Sequence, residues 1–234
     1  MDIGLVLLLV AAYLIGSIPN AYLFPKIFYG IDIRKHGTGK VGASNVLKLT
    51  SKWMAILVTL LDIGKGLLAV WLAQVLGMGA SEQAAAGVLA VIGHNWPVFL
   101  RFHGGRGIFT SLGVIFMLSP KLGLIILVMP YLLAPWRQVS LGVFFALASL
   151  PFFSWFLYQP LDIDERLPVT LGFIGLTLVG FFRRLVVPRS PLSKTVGSAE
   201  LIFNRVLFDR DIRSREIWIS QKAVGKESGG TQDS

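Results

Sequence analysis

The stretch Ile108–Pro135, IFTSLGVIFMLSPKLGLIILVMPYLLAP, can be read as one long apolar helix or as two short ones, and the choice decides how often the chain crosses a membrane. Proline suits the first turn of a helix, where its missing N–H and fixed φ cost little, and a serine before it is a good N-cap. Ser119-Pro120-Lys121 therefore reads as a break, with helices at Ile108–Leu118 and Leu122–Pro135.

The rest of the chain supports a membrane reading. Hydrophobic residues make up 54% of its 234 residues and charged residues only 15%, with a mean hydropathy of +0.68. Further apolar runs lie at Ile3–Phe24, Trp53–Leu76, Ala84–Leu100, Val139–Leu157 and Leu167–Val187. A span needs roughly 20 apolar residues, fewer where the helix is partly buried in protein. The first run follows Asp2 and lacks a basic leader or a small-residue cleavage site, so it reads as a retained span.

Charge placement tests the break. Lys26, Arg34, Lys35, Lys40, Lys48 and Lys52 crowd the connection after the first span. Arg183, Arg184, Arg189, Lys194, Arg205, Arg210, Arg213, Arg215, Lys222 and Lys226 crowd the end of the last span and the tail. Both segments belong in the cytoplasm, which needs an even number of helices between them. Seven spans with the N-terminus outside and the C-terminus cytoplasmic satisfy this, and six do not. The acidic loop 159–166, Glu82 and Lys121 then fall outside. The expected architecture is an all-α polytopic membrane bundle of about seven helices over residues 1–187. A basic cytoplasmic tail follows over 188–234; its Ala199–Ile219 part is suited to the membrane surface and its Gly/Ser-rich end is expected to be disordered.

Composition also narrows the chemistry. With no cysteine and three scattered histidines, no metal-ligand spacing and no thiolate nucleophile exist. The net charge of +9 flanks apolar spans rather than forming a soluble basic face, which points to membrane lipids or phosphorylated substrates and away from nucleic acid.

Three connections share the predicted cytoplasmic face: 25–52, 101–107 and 134–139. In the first, Gly37, Gly39 and Gly42 permit close backbone approach to an anion, Thr38, Ser44 and Asn45 add hydrogen bonds, and Lys48 adds charge. A P-loop is excluded, because Val41 follows Lys40 and no strand precedes. A flexible positive-inside loop is the alternative. In the second, Gly104, Gly105 and Gly107 with Arg106 lead into a helix N-terminus, the geometry of an anion site; arginines anchoring helix ends at lipid headgroups are the alternative there. Asp62 and Lys65 lie one turn apart in mid-span, either a structural pair or a functional site. His94 is a base, a substrate contact or a hydrogen-bonded boundary residue, and Ser140 a helix cap or a substrate contact.

Together these segments resemble the acyl-phosphate-dependent glycerol-3-phosphate acyltransferases, the PlsY family. The resemblance rests on GSIP at Gly16–Pro19, D-I-R and G-x-G-x-x-G-A-[ST]-N-V over Asp32–Val46, and D-x-x-K-G at Asp62–Gly66. It continues with G-H-x-x-P-V-F at Gly93–Phe99, F-x-G-G-[KR]-G at Phe102–Gly107 and S-L-G at Ser140–Gly142. It implies a seven-helix bundle in a bacterial inner membrane, with a cytoplasm-facing site that moves an acyl group from acyl phosphate to glycerol 3-phosphate. No cofactor, metal or oligomeric state is implied. It also implies catalytic roles for Thr38, Lys48, His94 and Arg106, and substrate contacts from Ser140. Four positions depart from the pattern: Thr38 stands for serine, Lys40 for asparagine, Lys48 for arginine and Arg106 for lysine. The third family motif is degenerate, with Arg184 in place of its histidine, Val187 in place of its asparagine, and Glu200 too late to be its glutamate. Two readings follow: an acyltransferase in which Lys40 and Arg184 supply replacement phosphate contacts, or a relative that binds an anionic lipid or acylates another acceptor. A transporter ranks behind both, since no internal repeat is visible.

Overall fold

The computed structural model describes residues 3–187, 190–214 and 217–218, and among the described residues it contains no strand. The helices are α1 (Ile3–Ser17), α2 (Asn20–Tyr29), α3 (Ala43–Leu49), α4 (Lys52–Val75), α5 (Ala80–Asn95), α6 (Ile108–Leu118), α7 (Pro120–Val128), α8 (Val139–Phe156), α9 (Arg166–Leu185) and α10 (Ser198–Phe208). Arg189, Arg215, Lys222, Lys226 and the tail's Gly/Ser-rich end lie outside the described residues.

The break at Ser119 stands. Ser119 caps α7, its hydroxyl oxygen accepting from the Leu122 amide at 3.4 Å and its O–H donating to the Leu161 carbonyl at 2.9 Å. Every predicted span holds a helix, but three differ in extent, the fifth because α7 ends at Val128 and a 3-10 segment carries on only to Leu133, short of Pro135. The first is split: α1 and α2 meet at an angle of 41°, because Pro19 has no N–H to carry the ladder through. Likewise α5 stops at Asn95 instead of Leu100, with Pro97 leading into a single 3-10 turn at Val98–Leu100. Among the described residues, three helices, α4, α8 and α9, are long and apolar enough to cross a membrane alone, and the bent α1–α2 pair makes a fourth if taken as one span; α6 and the segment Pro120–Leu133 are shorter apolar helices.

Apolar side chains cover the outside as well as the inside. Leu60, Phe152, Leu171 and Leu178 are more than half exposed, a surface suited to hydrocarbon. Lipid is as apolar as leucine, so helices in it associate through close backbone packing. Glycines supply that here. A Cβ on Gly66 would run into the Thr110 carbonyl and one on Gly113 into the Ile63 carbonyl, which brings α4 and α6 into contact; Gly16 and Gly93 do the same for α1 and α5, against Ala90 and Tyr13. Phe173, Leu176, Leu150, Leu122 and Ile115 fill the centre, each fully buried.

Two ends result. At one, Lys121 pairs with Asp162 at 2.8 Å beside the Ser119–Leu161 bond. At the other, the first residues of α6 and α8 open onto a cavity.

Candidate active site

The cavity holds about 930 Å³, at the upper end for small-ligand sites. Its mouth is formed by Thr38–Ser44, the loop 99–107, the end of α9 and the tail around Asp209; its depth is walled by Phe109, Leu112 and Ile115 of α6, Ile126 of α7, and Val143, Ala146 and Leu147 of α8. Both glycine loops thus meet at one end of the bundle, as the shared-face expectation requires.

The first loop is braced from within. Asn45, fully buried, donates from Nδ2 to the carbonyls of Ile33 (2.9 Å) and His36 (3.2 Å), and its Oδ1 accepts from the Thr38 amide at 2.7 Å. Its polar atoms are therefore engaged with the loop backbone, and the structure does not place it as a substrate contact. Gly37 serves the same brace: its φ is +60°, and a Cβ there would strike the Asn45 side chain. Asp32 and Arg34 pair at 2.7 Å beneath this turn, with Arg34 lying over the Tyr22 ring. The Arg34 hydrogen bond holds the Asp32 carboxyl at about 2, well below the usual carboxylate range, despite the opposing effect of burial. Thr38, Gly39, Lys40, Gly42 and Ser44 line the cavity. Lys48 does not: it sits exposed on α3, one turn beyond the lining residue Ser44.

The second loop is held by its neighbours. A Cβ on Gly104 would meet Pro97 and the His94 carbonyl, one on Gly105 the His94 ring, and one on Gly107 the Asn95 side chain. The glycines thus let the loop lie flat on the end of α5. The Gly105 amide is spent on the His94 carbonyl at 3.1 Å, so it is not a cradle donor. From α9, Arg183 donates to the carbonyls of Gly105 (2.9 Å) and Gly104 (2.8 Å), and Arg106 donates back to the Arg183 carbonyl at 2.8 Å. No side chain caps α6; its first-turn residues Ile108 and Phe109 line the cavity, so the positive end of the helix dipole lies at its wall.

Behind the mouth lies a polar network in apolar surroundings. Asp62 pairs with Lys65 at 2.9 Å, both nearly inaccessible, and accepts from Asn20 at 3.2 Å. His94 Nδ1 lies 3.8 Å from Asp62 and shares a hydrogen bond with Thr110 Oγ1 at 3.2 Å, while Nε2 abuts Gly105. Both nitrogens of His94 thus face protein, although Asp62 and His94 belong to the cavity wall. Ser140 also lines it; the N-cap of α8 is Gln138, so Ser140 is not a cap.

Arg184 is buried and donates to the carbonyls of Val206, Leu207 (3.2 Å) and Ser140 (3.1 Å). It ties the tail to α8 more than it offers charge to a ligand. The sequence reading missed Arg183 as a clamp, having counted it as a flanking charge and the first position of the degenerate third motif, and missed Asp209 entirely. Asp209 pairs with Lys40 at 3.2 Å and with Arg106. Burial pushes its carboxyl up, but the charges of Lys40, Arg106 and Arg184 outweigh this and hold it below the ordinary value. The one available signal was an acid inside the basic FDRDIR segment. Glu200 is exposed and reaches only Asn204, at 3.5 Å.

A lipid-facing helical bundle whose cavity is cationic at the mouth and apolar in depth defines a membrane protein suited to a ligand with an anionic head and a fatty tail. Comparison with known proteins agrees. The sequence-family model described as glycerol-3-phosphate acyltransferase matches residues 6–186. Glycerol-3-phosphate acyltransferase 4 of Dehalococcoides mccartyi (strain CBDB1) is 44% identical over 219 residues, 94% of each chain. The Thermoanaerobacter sp. (strain X514) glycerol-3-phosphate acyltransferase is 48% identical over 138 residues, 58% of this chain and 69% of its own. Among solved structures, the glycerol 3-phosphate form of PlsY (YgiH), an integral membrane glycerol 3-phosphate acyltransferase, is 32% identical with a TM-score of 0.69, covering 78% of this chain and 88% of that one. The chain belongs to the glycerol-3-phosphate acyltransferase family.

Proposed function

We propose that this protein transfers a fatty acyl group from acyl phosphate to glycerol 3-phosphate, giving lysophosphatidate and inorganic phosphate. The observation that carries this is the union, in one cavity, of the Lys40/Arg106 mouth with the Phe109–Leu147 slot. A fatty chain gains little by leaving lipid for that slot; what it gains is a fixed position. The cations offset the repulsion between two phosphate-bearing substrates, and immobilising the hydroxyl beside the acyl carbon supplies the proximity advantage.

The glycerol hydroxyl attacks the acyl carbonyl carbon, the ester C–O bond forms, and the bond from that carbon to the phosphate oxygen breaks. Phosphate departs with the hydroxyl proton. Because His94 is turned toward Thr110, Asp62 and Gly105, the substrate phosphate oxygen is the proton acceptor in this reading, and His94 shapes the wall. Thr38 and Ser140 offer hydroxyls at the mouth, and Gly104, Gly105 and Gly107 shape its backbone. Purified protein in detergent or lipid, given palmitoyl phosphate and glycerol 3-phosphate, should release phosphate only when both are present and form lysophosphatidate. Turnover with palmitoyl-coenzyme A instead would replace the donor, and no acyl transfer from either would defeat the reading.

The same reading places seven crossings in a bacterial inner membrane, N-terminus outside, with the cavity mouth and the tail in the cytoplasm. Since the chain has no cysteine, single replacements report sidedness cleanly. Lys48→Cys should react with an impermeant maleimide only from the cytoplasmic side and Asp164→Cys only from outside.

A further inference from the structure

Lys40 and Arg106 come from different loops and converge on one point, and that point is already taken. The Asp209 carboxylate sits between them, 3.2 Å from Lys40 and in contact with Arg106. It comes from beyond residue 186, where the family match ends. Resting on the phosphate-seat reading above, we propose that Asp209 is a specificity-determining residue that acts as the seat's resident counter-anion. It competes with substrate and product phosphate for Lys40 and Arg106, and so sets how tightly phosphate is held and how readily the leaving phosphate departs.

Three observations support a permanent competitor rather than a loose tail end. First, the chain on both sides of Asp209 is anchored. Arg184 holds the carbonyls of Val206 and Leu207, and Arg205 holds those of Leu185 (2.7 Å) and Val187 (2.9 Å). Asp211 in turn grips Arg205 at 2.7 Å and the Ser190 amide at 3.0 Å. Second, Asp209 ends α10 with φ +56°, a left-handed conformation that Asp and Asn accept more readily than other side chains. Third, the surrounding cations keep the carboxyl ionised at neutral pH. The anchoring keeps the backbone in place, so the carboxylate can yield to phosphate only by rotating its own short side chain.

Removing the competing charge should tighten anion binding, since like charges brought together oppose each other strongly. Asp209→Asn is the suitable variant because asparagine keeps the left-handed backbone. In the acyl-phosphate assay, inorganic phosphate should inhibit Asp209→Asn about tenfold more strongly than wild type, and KM for glycerol 3-phosphate should fall, with no gain in kcat. A variant that partly misfolds loses active enzyme but does not gain affinity, so the inhibition constant separates the proposal from a structural role. Phosphate binding to purified Asp209→Asn by calorimetry repeats the test without turnover. An unchanged or weakened phosphate affinity, or a variant that fails to fold, overturns the proposal. A wild type without acyl transfer overturns the reading beneath it, whereas an active wild type with an indifferent Asp209→Asn removes the competitor alone.

Discussion

The two glycine loops look alike in sequence and are held in opposite ways. The first carries its own brace, three hydrogen bonds between Asn45 and backbone within residues 33–38, two donated by its Nδ2 and one accepted by its Oδ1. The second is held from outside, by the end of α5 beneath it and by Arg183, more than seventy positions away in the chain. A self-braced loop is most sensitive to changes in its own residues; a borrowed loop also fails when a distant helix changes.

The largest effect should come from the cation that belongs to both the loop and the seat. Arg106→Ala removes a charge-assisted donor and the contact to the Arg183 carbonyl, and should lower kcat/KM by about 10²–10³-fold, the scale for losing one preorganised donor to developing charge. Activity within a few-fold of wild type would break the assignment of this loop to the phosphates. Next come the braces. Asn45→Ala leaves the Ile33 and His36 carbonyls and the Thr38 amide unpaired, at about 1–3 kcal/mol for each that stays buried. Amide exchange should then rise across residues 33–42 and not across 101–107. Arg183→Lys loses the fork that spans two carbonyls, and should raise exchange across 101–107 alone. If either variant loosens both loops equally, the contrast drawn above is wrong.

How far the sequence disclosed this arrangement depended on whether the support was local. The span break at Ser119 was legible because a cap and a first-turn proline are neighbours in the chain. The convergence of the two loops was legible from lysine and arginine bookkeeping. The first loop's glycines and Asn45 were visible as a motif, but whether the amide served a ligand or the loop depended on what lay across from it. The roles of Gly104 and Gly105 depended on α5, that of Arg184 on α10, and that of Asp209 on two cations 169 and 103 positions before it. Tertiary contacts of that span leave no periodicity to read.

The smallest effects test what the resemblance and the geometry assign differently. Asp32→Asn should lower activity a few-fold by loosening the first turn, its pair being partly exposed and screened. It should not change the shape of the pH profile. A carboxyl held down at about 2 contributes its full effect above the unfolded value near ~4, and loses it only as pH falls toward the folded value. From pH 5 to 8 the contribution is constant, and a shape change in that range would place another titrating group beside it. Lys48 is the sharper case, because the resemblance assigns it a catalytic charge while the structure leaves it exposed on α3 and outside the cavity. A solvated charge on an exposed helix face is worth little, so Lys48→Ala should stay within about threefold of wild type in kcat/KM. A loss of tenfold or more, carried by KM for glycerol 3-phosphate, would mean that α3 turns inward when phosphate binds. The first loop's brace would then have to yield during turnover, and the exchange of residues 33–42 would rise on adding glycerol 3-phosphate.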